Sequence, residues 1–196
     1  MAIKFEYPIG ATPIDPNEAA GLIPSHLSLQ RELNEYEEAN IVAANEWLSS
    51  RHRGDPLEDR FVYTVHRRMF DHTWRWAGKA RRSDKNLGVP WPEIPTRLRQ
   101  VLDDARAQIQ YQAYPPHEIA ARYHHRLVSV HVFSNGNGRH ARLMADLLLT
   151  ELAGLRFEWG RGSLADAGEL RGQYIAALRA ADGGDYRPFL AFLSTP

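Results

Sequence analysis

The sequence contains no cysteine among its 196 residues. Disulfide bonds, thiol catalysis and cysteine-ligated metal sites are therefore excluded. The chain also has no surplus of charge, since Lys plus Arg and Asp plus Glu each total 24. A formal net charge of zero argues against bulk binding to nucleic acid or to an anionic membrane, although it leaves room for a local basic cluster.

Long apolar runs are missing as well. The first residues, Met1–Pro8, carry no hydrophobic stretch of the kind found in signal peptides, and no segment reads as a transmembrane helix. We therefore expect a cytoplasmic protein. The length, and a hydrophobic content of 43%, suit one soluble domain with its own core.

Helical periodicity covers most of the chain. Apolar residues repeat at helical spacing over residues 27–50, 57–76, 94–111, 115–130, 138–152, 165–181 and 189–193. Residues 78–95 contain turn formers without a helical period, so we predict a β-hairpin flap there. Residues 1–26 are rich in proline and glycine and predict an extended lead-in to a single domain over 27–196. The predicted fold class is all-α, with one hairpin.

The stretch His131–Arg142 combines residue types that suit a phosphate site. Gly136 and Gly138 allow positive φ angles and a close approach to a ligand. A turn that enters a helix leaves N–H groups unpaired, and the helix dipole favours an anion beside them. Arg139 and Arg142 share a face of the first helical turn, where two positive charges are unfavourable unless something negative is bound. We predict a phosphate pocket with a histidine at its edge.

The histidine of this pocket, His131, is the candidate base. Near neutral pH it can accept a proton. Beside a polyphosphate it would deprotonate an incoming hydroxyl while loop amides and arginines stabilise the developing charge. The pattern is neither a P-loop nor a dinucleotide-binding turn, because no Gly-Lys-Ser/Thr follows and a helix precedes it. From the residues alone, phosphoryl transfer, nucleotidyl transfer and phosphate-ester hydrolysis all stay open.

These residues resemble the signature of the Fic family (Fic/Doc superfamily), HxFx[D/E/N]GNGRxxR. The matching positions are His131, Phe133, Gly136, Asn137, Gly138, Arg139 and Arg142. The resemblance runs from the flap region through Asp185–Phe189, and Phe5–Pro16 is similar to a bacterial Fic subgroup called mobile mystery protein B. The resemblance implies a helical bundle with a hairpin flap. It also implies a protein adenylyltransferase, which moves AMP from ATP to a Ser, Thr or Tyr hydroxyl and releases pyrophosphate.

The resemblance assigns a role to each residue of the motif, 131–142. His131 would be the base for the target hydroxyl, and Phe133 would anchor the loop on the core. Arg142 would hold the γ-phosphate and Arg139 would assist at the other two. The anion hole around the α- and β-phosphates would be formed by Gly136, Asn137 and Gly138.

The resemblance also assigns roles outside the motif. The flap would cover the nucleotide and align a target protein by β-augmentation, at Lys85, Asn86, Leu87 and Gly88. Tyr174 and Asp182 match positions that border the adenosine. ATP and a target protein are thus the implied partners, and an antitoxin or self-association is compatible with them. We expect no nucleic-acid or membrane partner.

One position departs from the common signature. The fifth residue of the motif is usually Asp or Glu, which binds the Mg²⁺ that bridges the phosphates, and here it is Asn135. An amide oxygen can ligate Mg²⁺ but carries no charge, so we expect weaker metal binding. Slow turnover, or use of Mn²⁺, would follow.

Three other functions are compatible with the motif. A Doc-like kinase would transfer the γ-phosphate, but that variant carries Lys where this chain has Gly138. An enzyme that removes AMP from a modified protein tends to need an inhibitory glutamate. A catalytically weak nucleotide-binding or toxin-partner module is favoured by Asn135.

The N-terminal helix, 27–50, carries a regulatory signal. Many Fic proteins have an inhibitory helix, [S/T]xxxE[G/N], whose glutamate pairs with the second arginine of the motif. Ser28 and Glu32 match it, with the last position displaced by one residue. We predict inhibition in cis through a Glu32–Arg142 pair. The alternative is a solvated glutamate on a charged helix, beside Glu35, Glu37 and Glu38.

Overall fold

The protein is a bundle of helices. The structure, a computed structural model, describes residues 13, 15–27, 29–50, 54–161, 164 and 168–193. Its α-helices are α1 (Pro16–Ala19), α2 (Gln30–Ser50), α3 (Asp59–Phe70), α4 (Ile94–Gln110), α5 (Pro116–Val130), α6 (Asn137–Ala153), α7 (Glu169–Asp182) and α8 (Arg187–Leu193), with 3-10 turns at Trp91–Glu93 and Trp159–Arg161. The all-α prediction is confirmed.

Helices α5 and α6 lie at the centre and contribute to two hydrophobic clusters. The larger cluster joins them to α2, α3 and α4, and the smaller one joins them to α7 and α8. In α6, Leu143, Met144 and Leu148 face the first cluster, whereas Ala145 and Leu149 face the second. A helix that packs on two sides needs apolar residues around most of its circumference, and α6 has them.

The described part of the lead-in contains one helical turn, Pro16–Ala19, where the composition predicts extended chain. The Asp15 side chain accepts the N–H groups of Asn17 and Glu18, and the Glu18 carboxylate accepts the N–H of Asp15. This reciprocal capping box and the proline at the first helical position account for the turn. Residues 1–12, which carry most of the subgroup resemblance, lie outside the described residues.

The predicted hairpin is not shown. Residues 79–90, here called the flap loop, contain no strand. The N–H of Arg81 donates to the Val132 carbonyl at 3.0 Å, and the N–H of Val89 donates to the Val130 carbonyl at 3.4 Å. Both ends of the loop therefore form hydrogen bonds with the backbone around the end of α5. These bonds replace the strand pairing within the loop that a hairpin would have.

The centre of the flap loop is a buried arginine. Arg81 is 3% exposed, and its guanidinium donates to the carbonyl oxygens of Ser83, Val89 and His131. A guanidinium has five donors in a fixed plane, so one side chain can satisfy several loop carbonyls at once. The loop is shaped by this side chain.

No helix among the residues that the structure describes is both long and apolar enough to span a membrane.

Candidate active site

His131 lies where α5 ends, at the boundary between a buried helix and the motif loop (His131–Gly136). Its backbone is left-handed, with φ 56° and ψ 60°, which turns the chain out of the helix. The residue is 7% exposed. Its carbonyl oxygen accepts the Arg81 Nε–H at 2.6 Å, so the flap loop holds the backbone of the candidate base.

The surroundings keep the His131 ring neutral. Burial, followed by the charge of Arg81, lowers the pKa of His131 to about 4, and Lys85 acts in the same direction. A hydrogen bond to the Val128 carbonyl opposes the shift. That bond makes one ring nitrogen a donor, so the other nitrogen is the acceptor that a base requires.

The motif loop is closed by one asparagine. Asn137 Oδ1 accepts the Phe133 N–H at 2.9 Å, and Asn137 Nδ2 donates to the Phe133 carbonyl at 2.7 Å. Both bonds are buried. The Asn137 side chain therefore fixes the loop. Only the backbone of Asn137, at the start of α6, could contribute to the predicted anion hole.

The two glycines of the motif have different surroundings. Gly136 has φ 77°, and a Cβ added there would lie 2.6 Å from Phe70 Cζ. A side chain is excluded by both the backbone angle and the space. At Gly138 a Cβ would meet Arg142 Nη1 only at 3.7 Å, so the first turn of α6 is open on this side.

Asn135 turns its side chain back to the loop. Its Oδ1 accepts the N–H of Gly136 at 2.6 Å. The ligand atom at the predicted metal position is thus a neutral amide oxygen that already accepts a backbone hydrogen bond. Among the residues that the structure describes, no group of three or more His, Asp or Glu side chains is arranged to hold a metal ion.

Arg139 meets a glutamate that the sequence interpretation did not single out. Its Nη1 donates to Glu37 Oε2 at 2.7 Å, and Glu37 Oε1 accepts the Trp74 Nε1–H at 2.6 Å. The Glu37 side chain is 7% exposed. Residue Glu37 lies on α2, so this helix reaches the motif through a largely buried ion pair.

Glu32 lies at the start of α2, where its Oε2 accepts the Leu29 N–H at 3.0 Å. This is a capping contact of the helix N-terminus. Ser28, the other half of the predicted inhibitory pattern, lies outside the described residues. The inhibitory role of Glu32 stays a prediction, while the contact found between α2 and a motif arginine is made by Glu37.

Arg142 is held by a tyrosine of α7. Arg142 and the Tyr174 hydroxyl are hydrogen-bonded, and the hydroxyl lies 2.9 Å from His124 Nε2. Burial is the main cause of the lowered pKa of Arg142, and the positive charge of Arg139 adds to it. Two arginines that repel each other at the start of a helix are stabilised when an anion binds between them. The structure thus brings Tyr174, predicted at the adenosine, to Arg142.

Asp182, the other predicted adenosine neighbour, belongs to a different group. Its Oδ1 lies 2.8 Å from His125 Nε2, and His125 Nδ1 lies 2.8 Å from the Tyr186 hydroxyl. The Asp182 side chain is 62% exposed. Neighbouring histidines of α5 thus contact different positions of α7, since His124 meets Tyr174 in its first half and His125 meets Asp182, its last residue.

The predicted flap residues divide into buried and exposed positions. The Lys85 side chain is 5% exposed, and its Nζ bonds Asp15 at 3.0 Å and Glu18 at 2.6 Å. Gly88 has φ 97° and lies against His131, whose Cβ would overlap any side chain placed there. Asn86 and Leu87 are exposed. Residues of the lead-in thus hold Lys85 in place, and Gly88, near the other end of the flap loop, contacts the candidate base His131.

Three side chains of this site were not assigned from the sequence: Glu37, Arg81 and His124. The first two are charged and buried, which is uncommon without a partner. Glu37 and His124 meet partners that are remote in sequence, and Arg81 bonds His131 as well as carbonyls of its own loop. No local pattern marks these three side chains.

A family model described as Fic/DOC family matches residues 56–149. The protein adenylyltransferase fic-1 of Caenorhabditis briggsae is 31% identical to this chain over 151 residues, which are 75% of this chain and 28% of that protein. The chain therefore spans less than a third of the length of this curated relative.

Two solved bacterial structures share the fold. The N-terminal Fic domain of Bep8, a VirB-translocated effector protein from Bartonella sp. 1-1C, has a TM-score of 0.69 at 18% identity and covers 94% of this chain and 97% of its own. The structure of BepC from Bartonella tribocorum, with bound AMPPNP, has a TM-score of 0.67 at 17% identity, with 91% and 96% covered. At these identities the likeness concerns the fold.

Proposed function

We propose, on the premise that this chain belongs to the Fic/DOC family, that it is a protein adenylyltransferase. It would move AMP from ATP to a Ser, Thr or Tyr hydroxyl of a target protein and release pyrophosphate. The family prediction is confirmed, and membership of the mobile mystery protein B subgroup stays a prediction. One observation carries the proposal: a neutral, buried His131 stands before a helix start where Arg139 and Arg142 repel each other.

The chemistry follows from this arrangement. The target hydroxyl would give its proton to His131 as its oxygen attacks the α-phosphorus. The bond from that phosphorus to the β-bridging oxygen breaks, and pyrophosphate leaves in line. Backbone amides at Gly136–Gly138 and the two arginines would stabilise the charge on the phosphates. The AMPPNP bound in BepC supports a triphosphate as the ligand.

Magnesium would enter on the triphosphate. The chain offers it the amide oxygen of Asn135, a neutral ligand in a position that commonly holds a carboxylate. The residue fits Mg²⁺ by its oxygen donor but adds no charge, so protein binding of the metal should be weak. When bound, the ion would neutralise charge on the phosphates.

The target protein would lie along the flap loop. Leu87 and Trp91 are 44% and 42% exposed and lie at its outer side, where an apolar side chain of a target can dock. The backbone of residues 83–88 would supply the hydrogen bonds for an extended target segment. Self-association, an antitoxin and a cytoplasmic location stay predictions, as does the expectation of no nucleic-acid or membrane partner.

Helix α2 would restrain the enzyme. The Glu37–Arg139 pair joins this helix to the motif at 2.7 Å, and its carboxylate competes with phosphate for the same guanidinium. We extend the predicted cis-inhibition by α2 from Glu32 to Glu37 on this contact. The Glu32–Arg142 pair stays the alternative.

A second candidate is a nucleotide-binding module of low activity. It is supported by Asn135, whose side-chain oxygen is bonded to Gly136 where a metal ligand is expected. A kinase is less well supported, because Gly138 stands where the kinase-type variant has Lys. Removal of AMP, which tends to need an inhibitory glutamate, stays an alternative.

Labelled ATP separates these functions. The full chain is incubated with ATP labelled at the α- or the γ-phosphate, with Mg²⁺ or Mn²⁺, alone and with lysate. We expect protein label from the α position only, and none in His131→Ala, whereas the exposed His117→Ala control keeps full labelling. Label from γ only would assign a kinase. No label from either, with nucleotide bound in calorimetry, would assign the binding module.

A further inference from the structure

His66 of α3 is a fully buried histidine outside the motif. Its Nδ1 accepts the N–H of Gly78 at 3.0 Å, and its Nε2 lies 3.1 Å from the carbonyl oxygen of Asn135. An amide N–H only donates and a carbonyl only accepts. The ring therefore has one neutral form, with the proton on Nε2, and both nitrogens are used.

These two bonds connect the two loops of the candidate site. Gly78 immediately precedes the flap loop, and Asn135 belongs to the motif loop. The His66 ring also stacks on Phe133, with ring centres 3.6 Å apart and an angle of 18° between the planes. A Cβ placed on Gly136 would lie 3.4 Å from His66 Nε2, so the ring is one wall of the turn that leads into α6.

We infer that His66 is a positioning residue, which fixes the Asn135–Gly136 turn relative to the start of the flap loop. The consequence for catalysis rests on the proposed function, because the amides that follow this turn are those assigned to the phosphates. A displacement of about 1 Å at such a position can cost on the order of 100-fold in rate. A residue that only fills space would be replaceable by an aromatic ring of the same shape.

The variants separate these two roles. His66→Phe keeps the ring and the stacking but removes both hydrogen bonds. His66→Gln keeps a donor for the Asn135 carbonyl but offers the Gly78 amide no matching acceptor. His140→Gln is the matched control, since His140 is also buried, lies 5.6 Å from His66 by ring centres, and bonds to the Val62 carbonyl at 2.9 Å.

Two measurements are made on the full chain. In AMP transfer, we expect kcat of His66→Phe to fall by roughly 100-fold with KM for ATP within about threefold, because the misplaced amides act mainly in the transition state. The kcat of His66→Gln should be at least about tenfold higher than that of His66→Phe, and the kcat of the control should stay within about threefold of wild type. In amide hydrogen exchange, Gly78 should lose protection in both His66 variants and keep it in the control.

Wild-type kcat in His66→Phe, unchanged Gly78 protection in that variant, or a kcat loss in His66→Gln as large as that in His66→Phe would overturn the inference. If His66→Phe does not fold, Gly78 protection decides: His66→Gln should lose it and the control should keep it, and equal protection in the two would overturn the inference. The exchange measurement needs no turnover. A wild-type protein that transfers no AMP would thus refute the proposed function and leave the position of His66 to be judged by Gly78 alone.

Discussion

The proposed phosphate site depends, at the scale of single residues, on how its arginines are held. Arg142 donates to the Tyr174 oxygen, so the Tyr174 O–H is left to donate to His124 Nε2. Burial lowers the pKa of His124 to about 3, which keeps its ring neutral and able to accept. In this series of hydrogen bonds Arg142 donates to Tyr174, and Tyr174 donates to His124. Together the two bonds set the orientation of the Arg142 guanidinium.

Removing the Tyr174 hydroxyl tests this chain of bonds. In Tyr174→Phe, Arg142 loses a hydrogen-bond acceptor that orients its guanidinium, which is proposed to bind the γ-phosphate. A hydrogen bond to a charged group is worth about 1.5–3 kcal/mol, so we expect ATP affinity to fall by roughly tenfold in calorimetry. AMP, which lacks the γ-phosphate, should bind as before.

The matched control is Tyr186→Phe, which removes a hydroxyl bonded to His125 instead of one bonded to Arg142. It should leave ATP affinity unchanged. Equal weakening of AMP and ATP in Tyr174→Phe would contradict the role at Arg142 and would support the predicted place of Tyr174 beside the adenosine.

At the scale of secondary structure, helix α2 lies outside the central pair α5 and α6 and contacts the motif through Glu37. The Glu37 carboxylate accepts from Trp74 with one oxygen and from Arg139 with the other. Such a buried pair costs desolvation on both sides and is weak evidence for stability alone. Its position on a motif arginine suits a regulatory role.

Glu37→Gln should release Arg139. We expect the rate of auto-AMPylation to rise by at least about fivefold, the lower range of typical coupling between two sites. The variant also removes the ion-pair partner of Arg139, whose side chain is 32% exposed, so the free energy of unfolding should fall. Both effects are measured on the same preparation, by label transfer and by urea unfolding.

The exposed Glu38→Gln on the same helix is the control, and it should change neither quantity. Lower activity in Glu37→Gln would show that the carboxylate positions Arg139 instead of restraining it. A rise seen only in Glu32→Gly would return the inhibition to the residue predicted from the sequence.

At the scale of the whole molecule, the fold encloses several neutral histidines. Burial is the first cause of a lowered pKa at His66, His124, His131 and His140, and it brings the last three to about 3, about 4 and about 4. The unfolded chain would bind these protons near pH 6.5. Because the unfolded state takes up more protons, this stability is full above about pH 6.5 and is lost as the pH falls toward 4.

The molecule should therefore be sensitive to mild acid. At pH 5, each histidine with a folded pKa of about 4 or below costs roughly 2 kcal/mol of unfolding free energy relative to pH 7.5. We expect the urea midpoint to fall steeply between these pH values. His140→Gln removes one titrating group and should flatten the dependence, whereas His72→Gln, at an exposed position, should not. A midpoint that is level from pH 7.5 to 5 would contradict the neutral buried state.

Much of this architecture was predictable because the signals are local. The apolar period predicts a helix over 94–111, close to the observed Ile94–Gln110. The Asp15 capping box that forms α1 is also a local signal, although the proline content of the lead-in predicts extended chain there. The flap loop differs from the predicted hairpin because a single buried side chain, Arg81, binds the carbonyls of the loop, and turn residues alone do not report this.

Local sequence signals are enough to predict the helical class, the motif and the candidate base, since each depends on residues that are close together in the chain. The remote side chains that complete the site are known only from the packing of the helices. Arg139 meets Glu37 across 102 residues, and His66 meets Asn135 across 69. Such pairs form because packing of α2, α3 and α6 brings buried polar groups together, and each group must find a partner once water is excluded. Helical period and motif spacing contain no information about that choice.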